Sequence, residues 1–266
     1  MHLERFNLTP AQFNAIPDAE RALMVLLAHG LNEVNALEKL VAMSMNFERG
    51  HVPIELAQSG QAMLLVRILA GKLHEIYKLI EVCFSKTKLA KKYLDTADTT
   101  TIASLDKINK YFGPGSKVTK IRNQQAFHYI REQGLTKVDV DQPEADLALY
   151  LHSNNANSFY QFAELVMTIA LTDLFAAPQI KPGQAFAPVN EGAESHEEDV
   201  LLTILTEMRY ATHLVNAFSH GMIFLIIDKF VGAAAIKSAQ LTVDIGKIID
   251  VSAVNIPFFI DSTSSG

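Results

Sequence analysis

The sequence predicts an all-α protein, a multi-helix bundle. Three observations carry that reading. Apolar residues recur at three-and-four spacing through several long segments. Gly and Pro cluster between those segments, where they act as breakers. Hydrophobic residues make up 49% of the 266 positions and charged residues 20%, enough apolar mass for a packed core and too little charge for a disordered chain.

The elements follow in order. Asp18, after Pro17, is placed to cap a helix carrying Leu23, Leu26, Leu27, Leu31, Val34, Leu37, Leu40 and Val41 at three-and-four spacing, running to about Phe47. Gly50 and Pro53 break the chain, and a second long helix spans about Glu55 to Phe84. Shorter helices are predicted over Lys86–Leu94 and Ile102–Tyr111. Gly113-Pro114-Gly115-Ser116 is a turn ending in an N-cap serine. The helix it opens runs from Lys117 to about Gln133, with Gly134 suited to its C-terminal cap. A short helix near Glu144–Leu151 and a longer one over Asn157–Phe175 complete a first unit, residues 1–175. Three prolines, two glycines and a run of Glu mark 176–199 as a linker or long loop. The remainder, 200–266, holds a last long helix, from about Glu197 to Val231, packed on the bundle, and a polar tail. Leu241, Val243 and Ile245 alternate with polar residues, so a small β-hairpin turning at Gly246-Lys247 is expected there.

Composition bounds the function. A lone cysteine, Cys83, excludes an intramolecular disulfide framework and a cysteine-cluster metal site. A net charge of −6 argues against tracking long stretches of nucleic-acid backbone, but leaves room for a local phosphate site. The N-terminus lacks a basic segment followed by an apolar core, and no uninterrupted apolar run approaches the roughly 18 residues of a membrane helix. The expectation is a cytoplasmic protein with no membrane association and no cofactor.

On a helical wheel at about 100° per residue, the second helix places Arg67, Gly71, His74, Lys78 and Glu81 on a polar stripe opposite Leu65, Leu69, Ile76, Ile80 and Cys83. Lys72 falls within the apolar stripe. A buried ammonium needs a partner, an outward path or a cavity, and Glu75 at i+3 is the nearest partner. Gly71 reads as a close-packing position.

The segment richest in chemistry is Lys117-Val-Thr-Lys-Ile-Arg122-Asn123-Gln-Gln-Ala-Phe-His128-Tyr129. Arginine and histidine together are what metal-independent RNA cleavage requires. A guanidinium grips a phosphate bidentately and offsets charge building at phosphorus. A histidine moves protons to or from the attacking 2'-hydroxyl or the leaving oxygen. Asn123 adds an uncharged hydrogen bond that orients His128 or the phosphate.

Arg122-Asn123-Gln-Gln-Ala-Phe-His128-Tyr129 resembles the arginine-x(4–6)-histidine signature of the HEPN superfamily in its Arg-Asn form. Gly71-Lys72-Leu73-His74-Glu75 resembles the second-helix segment of bacterial members. The resemblance covers about Asp18 to Gly134. It implies a HEPN-like four- or five-helix bundle with the motif on a later helix. It also implies ribonuclease activity of the toxin–antitoxin, abortive-infection or phage-defence kind, and a homodimer in which two motifs form one site. On that reading Arg122 holds the scissile phosphate, His128 is the general acid/base and Asn123 assists, supported by Lys72, Glu75 and Tyr129. RNA and an antitoxin or other protein are the implied partners. At six residues' spacing Arg122 and His128 point about 120° apart, whereas Tyr129 shares the Arg122 face, so the enzymatic reading calls for the dimer. The alternative is a non-catalytic helical interaction or adaptor protein that dimerises through the motif region.

Other constellations are weaker. On the last helix Thr206, Arg209, His213, Asn216 and His220 share one side, and a metal-dependent hydrolase built on His213 and His220 is the third reading. The simpler one is a polar face in water or against the linker. Gly113-Pro-Gly-Ser-Lys117 lacks the spacing of a phosphate loop and follows no strand. No Glu-x-x-His, His-Glu-x-x-His or Gly-x-Ser-x-Gly occurs, and no metal site is assigned.

Overall fold

The structure, a computed structural model, describes residues 2–46, 51–113, 115–123, 150, 158–176, 196–232, 238–242, 254 and 257. It is an all-α multi-helix bundle. In chain order it comprises β1 (His2–Phe6), α1 (Pro10–Ala15), α2 (Asp18–Ser44) and α3 (Val52–Ile80), which continues as a π-helical turn, Glu81–Ser85. Then come α4 (Lys88–Tyr93), α5 (Thr99–Tyr111), α6 (Lys117–Ile121), α7 (Gln161–Ala176), α8 (His196–Val231) and β2 (Ser238–Thr242).

Helix starts and stops follow local chemistry. Thr9 and Gln12 form a capping box at α1, Asp98 accepts from the backbone N–H groups of Thr100 and Thr101 at α5, and Ser116 accepts from that of Thr119 at α6. Asp18, expected as a cap, is instead the first helical residue. Pro17 holds the cap position, and the Asp18 carboxylate pairs with Arg21. The π turn forms because the Lys86 N–H reaches back to the Glu81 carbonyl, 3.0 Å, five residues away.

α3 is the centre. It packs against α2, α8, α6 and α7. Leu69, Leu73, Ile76 and Ile80 are fully or almost fully buried, and Phe84 meets Phe218 of α8 edge-to-face at 5.4 Å between ring centres. Two glycines let helices approach closely. A Cβ on Gly30 of α2 would lie 2.8 Å from Ile76 of α3, and one on Gly221 of α8 would lie 1.8 Å from Thr101 Oγ1 of α5. Met208 and Met222 are buried core residues.

Several expectations are refined, revised or only partly covered by the described residues. The polar stripe of α3 is buried in part: Arg67 and His74 are each 5% exposed and Gly71 is buried, because α6 and α7 cover them, while Lys78 stays exposed. At the predicted helix near Glu144–Leu151, Tyr150 forms an antiparallel bridge with Phe159, and the rest of that segment lies outside the described residues. The C-terminal strand exists over Ser238–Thr242, but its partner is β1, antiparallel, with His2 opposite Thr242 and Phe6 opposite Ser238. The expected turn at Gly246-Lys247 lies outside the described residues. Finally, although no uninterrupted apolar run is long enough, Thr203–Val231 of α8 contains an 18-residue window of mean hydropathy 1.5, long and apolar enough to cross a membrane by length and composition. In the bundle, Leu214, Val215, Phe218, Met222 and Ile226 of this stretch are core residues. Residues 177–195, most of the predicted linker, lie outside the described residues.

Candidate functional site

α6 is held in place along its described residues. Ser116 caps its start, and Val118 and Ile121 are fully buried. Packing α6 on α3 carries Arg122, at its C-terminal end, over Glu75. Arg122 Nη2 donates to Glu75 Oε1 at 3.0 Å and Nη1 donates to Asn123 Oδ1 at 3.1 Å. The Arg122 side chain is 30% exposed and that of Glu75 52%. Arg122 Nε is buried and has no hydrogen-bond partner among the described residues.

Beneath this pair lies His74. Its Nδ1 is 3.2 Å from Thr119 Oγ1, and its ring meets Tyr77, which stacks on Phe112 at 4.9 Å. Burial holds its imidazole below the ordinary histidine range, and the positive charges of Arg122 and Lys78 push the same way against Glu75 and Glu81. The group is therefore neutral at pH 7. At the outer edge Glu81 accepts from Lys78 at 2.8 Å and pairs with Lys86 at 2.7 Å, which draws its carboxyl down to about 2.

The sequence-predicted site residues separate into three groups. Arg122, Asn123 and Glu75 come together. Lys72 does not join them: its partner is Glu33 of α2, at 2.7 Å, rather than Glu75, because Lys72 faces α2 while Glu75 faces α6. His128 and Tyr129 lie outside the described residues. Sequence reasoning placed His74 on the polar stripe and within the Gly71–Glu75 segment, with no role of its own. Its adjacency to Glu75 within the same helical turn was the signal that could have promoted it. Thr119 was missed for want of any signal, since its role depends on how α6 meets α3.

On α8, His213 and His220 are exposed, and Asn216 Nδ2 donates to Asn35 Oδ1 of α2 at 3.0 Å. Among the described residues no group of three or more His, Cys, Asp or Glu side chains is placed to hold a metal ion. Comparison with protein-family models, with curated proteins and with solved structures returned no match to this chain.

Proposed function

We propose that this chain is a metal-independent ribonuclease of the HEPN type, a homodimer acting in toxin or phage-defence biology, with Arg122 as the group that holds the scissile phosphate. The observation that supports this is the state of the Arg122 guanidinium. It is partly exposed, with Nε buried and its two terminal nitrogens held by the neutral Asn123 amide and by a single carboxylate, Glu75, that is itself half exposed. An exposed ion pair of this kind is worth at most about 1 kcal/mol. A phosphodiester carries the same charge as Glu75 and offers two oxygens in the geometry a guanidinium fork prefers. It can therefore displace Glu75 at small cost.

On this reading the 2'-hydroxyl attacks phosphorus, the 5'-oxygen leaves, and a 2',3'-cyclic phosphate forms. Arg122 offsets the charge building on the non-bridging oxygens. His128, as the motif implies, takes the proton from the hydroxyl or gives one to the leaving oxygen. Neutral His74 keeps a second positive charge away from the guanidinium and supports α6 through Thr119.

One specific observation favours the adaptor reading instead: the guanidinium already has a carboxylate, as a structural arginine would. A single experiment separates the two. A mixed RNA pool is incubated with purified protein in chelator, beside Arg122→Ala, His128→Ala and Glu75→Gln. The ribonuclease reading expects cleavage by the parent, loss in the first two variants and retained or faster cleavage in Glu75→Gln, whose arginine is released. Cleavage by none of the four would carry the weight to the adaptor.

A further inference from the structure

A second polar cluster lies along the same stripe of α3, at the end remote from Arg122. There a cavity of about 690 Å³ opens between α3 and the start of α7. Its walls are unusual for a surface hollow. Tyr160 and Phe162 line it while remaining 52% and 41% exposed. Gln61 lines it too, and its side-chain oxygen is buried with no hydrogen-bond partner among the described residues. So does Glu164, whose Oε2 accepts from Arg67 Nη2 at 3.2 Å and whose Oε1 has no hydrogen bond among the described residues. Arg67 is almost fully buried behind it, with Nη1 unpartnered among the described residues. The arrangement depends on Gly60: a Cβ there would lie 3.1 Å from Glu164 Cγ and 3.2 Å from the Phe159 ring, so the glycine creates the room in which the carboxylate sits.

Exposed aromatic rings beside a set of unmet acceptors are the chemistry that takes up an unstacked nucleobase: rings stack on its face and polar groups read its edge. The edge is specified by the donor and acceptor count. Glu164 and the Gln61 carbonyl both accept. Among the four RNA bases only guanine presents two adjacent donors, N1–H and the 2-amino group, on its Watson–Crick edge. Adenine and cytosine each present one amino group there, and uracil one ring N–H. Arg67, fixed behind Glu164, holds the carboxylate in place.

We infer that the cavity of Gln61, Tyr160, Phe162 and Glu164 is a binding site for a guanine base, carried either on single-stranded RNA or on a free nucleotide. The RNA form of this inference rests on the ribonuclease reading and gives it a specificity element. The cavity lies about 20 Å from Glu75 by the rise of α3, so the base it holds is some nucleotides away from the phosphate at Arg122. Binding one base at a local site needs no broad basic face, which suits a chain of net charge −6.

The test is calorimetric titration of the full chain with GMP, AMP, CMP and UMP, and with single-stranded oligonucleotides that contain or lack guanosine. GMP should bind about tenfold more tightly than the other three, the discrimination expected of one bidentate base contact. Tyr160→Ala and Phe162→Ala, at exposed positions that the fold does not need, should each weaken GMP binding, and Glu164→Gln should erase the preference for guanine. Gln61→Leu serves where loss of the Arg67 partner unfolds the Glu164 variant. Equal binding of the four nucleotides, no binding at millimolar concentration, or unchanged binding in both aromatic variants overturns the inference. Tighter binding of the guanosine-containing oligonucleotide assigns the site to RNA, and equal binding of the two oligonucleotides assigns it to the free nucleotide. The nucleotide titration needs no cleavage. Guanine binding without nuclease activity therefore removes only the ribonuclease reading, and cleavage without guanine binding removes only the pocket.

Discussion

Two buried parts of α3 are built from different chemistry. Toward α2 and α8 it presents Leu69, Ile76 and, through its π turn, Phe84, packed on Gly30, Met208 and Phe218. Toward α6 and α7 it presents Arg67 and His74, each as hidden from water as many core leucines. The first side needs only shape. The second needs each polar group matched, because a buried charge or imidazole without a partner costs more than a missing methyl. Arg67 is matched by Glu164, His74 by Thr119, and at the rim Glu75 by Arg122. Stability should therefore concentrate on the apolar side, and pH response and ligand chemistry on the polar one.

The largest effect expected lies on the apolar side. Phe84→Ala should cost about 3–5 kcal/mol by truncating a fully buried ring, read as a lowered midpoint in denaturant unfolding. A loss under 1 kcal/mol would mean that the α3–α8 contact is not where the fold is held. Next is Gly221→Ala, whose new Cβ collides with Thr101 on α5. About 1–3 kcal/mol is expected for such overpacking, and thermal melting reads it. Wild-type melting would break the close α5–α8 approach.

The polar side should respond to pH. His74 has its pKa lowered in the fold from 6.5, by burial first and then by Arg122 and Lys78. The unfolded chain therefore takes up a proton at higher pH than the folded one. Stability is complete above the unfolded value and falls as pH drops below about 6.5 toward the folded value. Replacing His74 with Gln should flatten that part of the stability–pH profile. An unchanged slope would assign the pH response elsewhere. The smallest effect on stability belongs to the candidate site: Glu75→Ala should move unfolding by less than about 1 kcal/mol, as befits an exposed pair. A much larger loss would make the Arg122–Glu75 contact structural and weaken the ribonuclease reading.

Much of the architecture was legible in the residues. The periodic leucines of α2, the breakers around Gly50 and Pro53, and the Ser116 cap place helices to within a few residues of where they lie. The site was legible only in part. Arg122 and Asn123 stand out as a motif, yet nothing in the spacing says that the guanidinium meets Glu75 across 47 positions. Lys72 shows the limit well. Its i+3 neighbour looked like its partner, but Glu33 is separated from it by 39 positions and by a turn between two helices.

By itself the sequence determined that the fold is helical, roughly where several of the helices lie, and which residues carry ionisable chemistry, because these depend on propensities, caps and periodicity within a few turns. Only the tertiary structure decided what surrounds each of those residues. Two further helices land on part of the polar stripe of α3, and that arrival makes Arg67 and His74 interior groups, while Glu75 and Lys78 of the same helix stay exposed. The physical reason is range. Helix formation is settled by neighbours along the chain, whereas the solvation and pairing of a side chain are settled by whichever element comes to cover it.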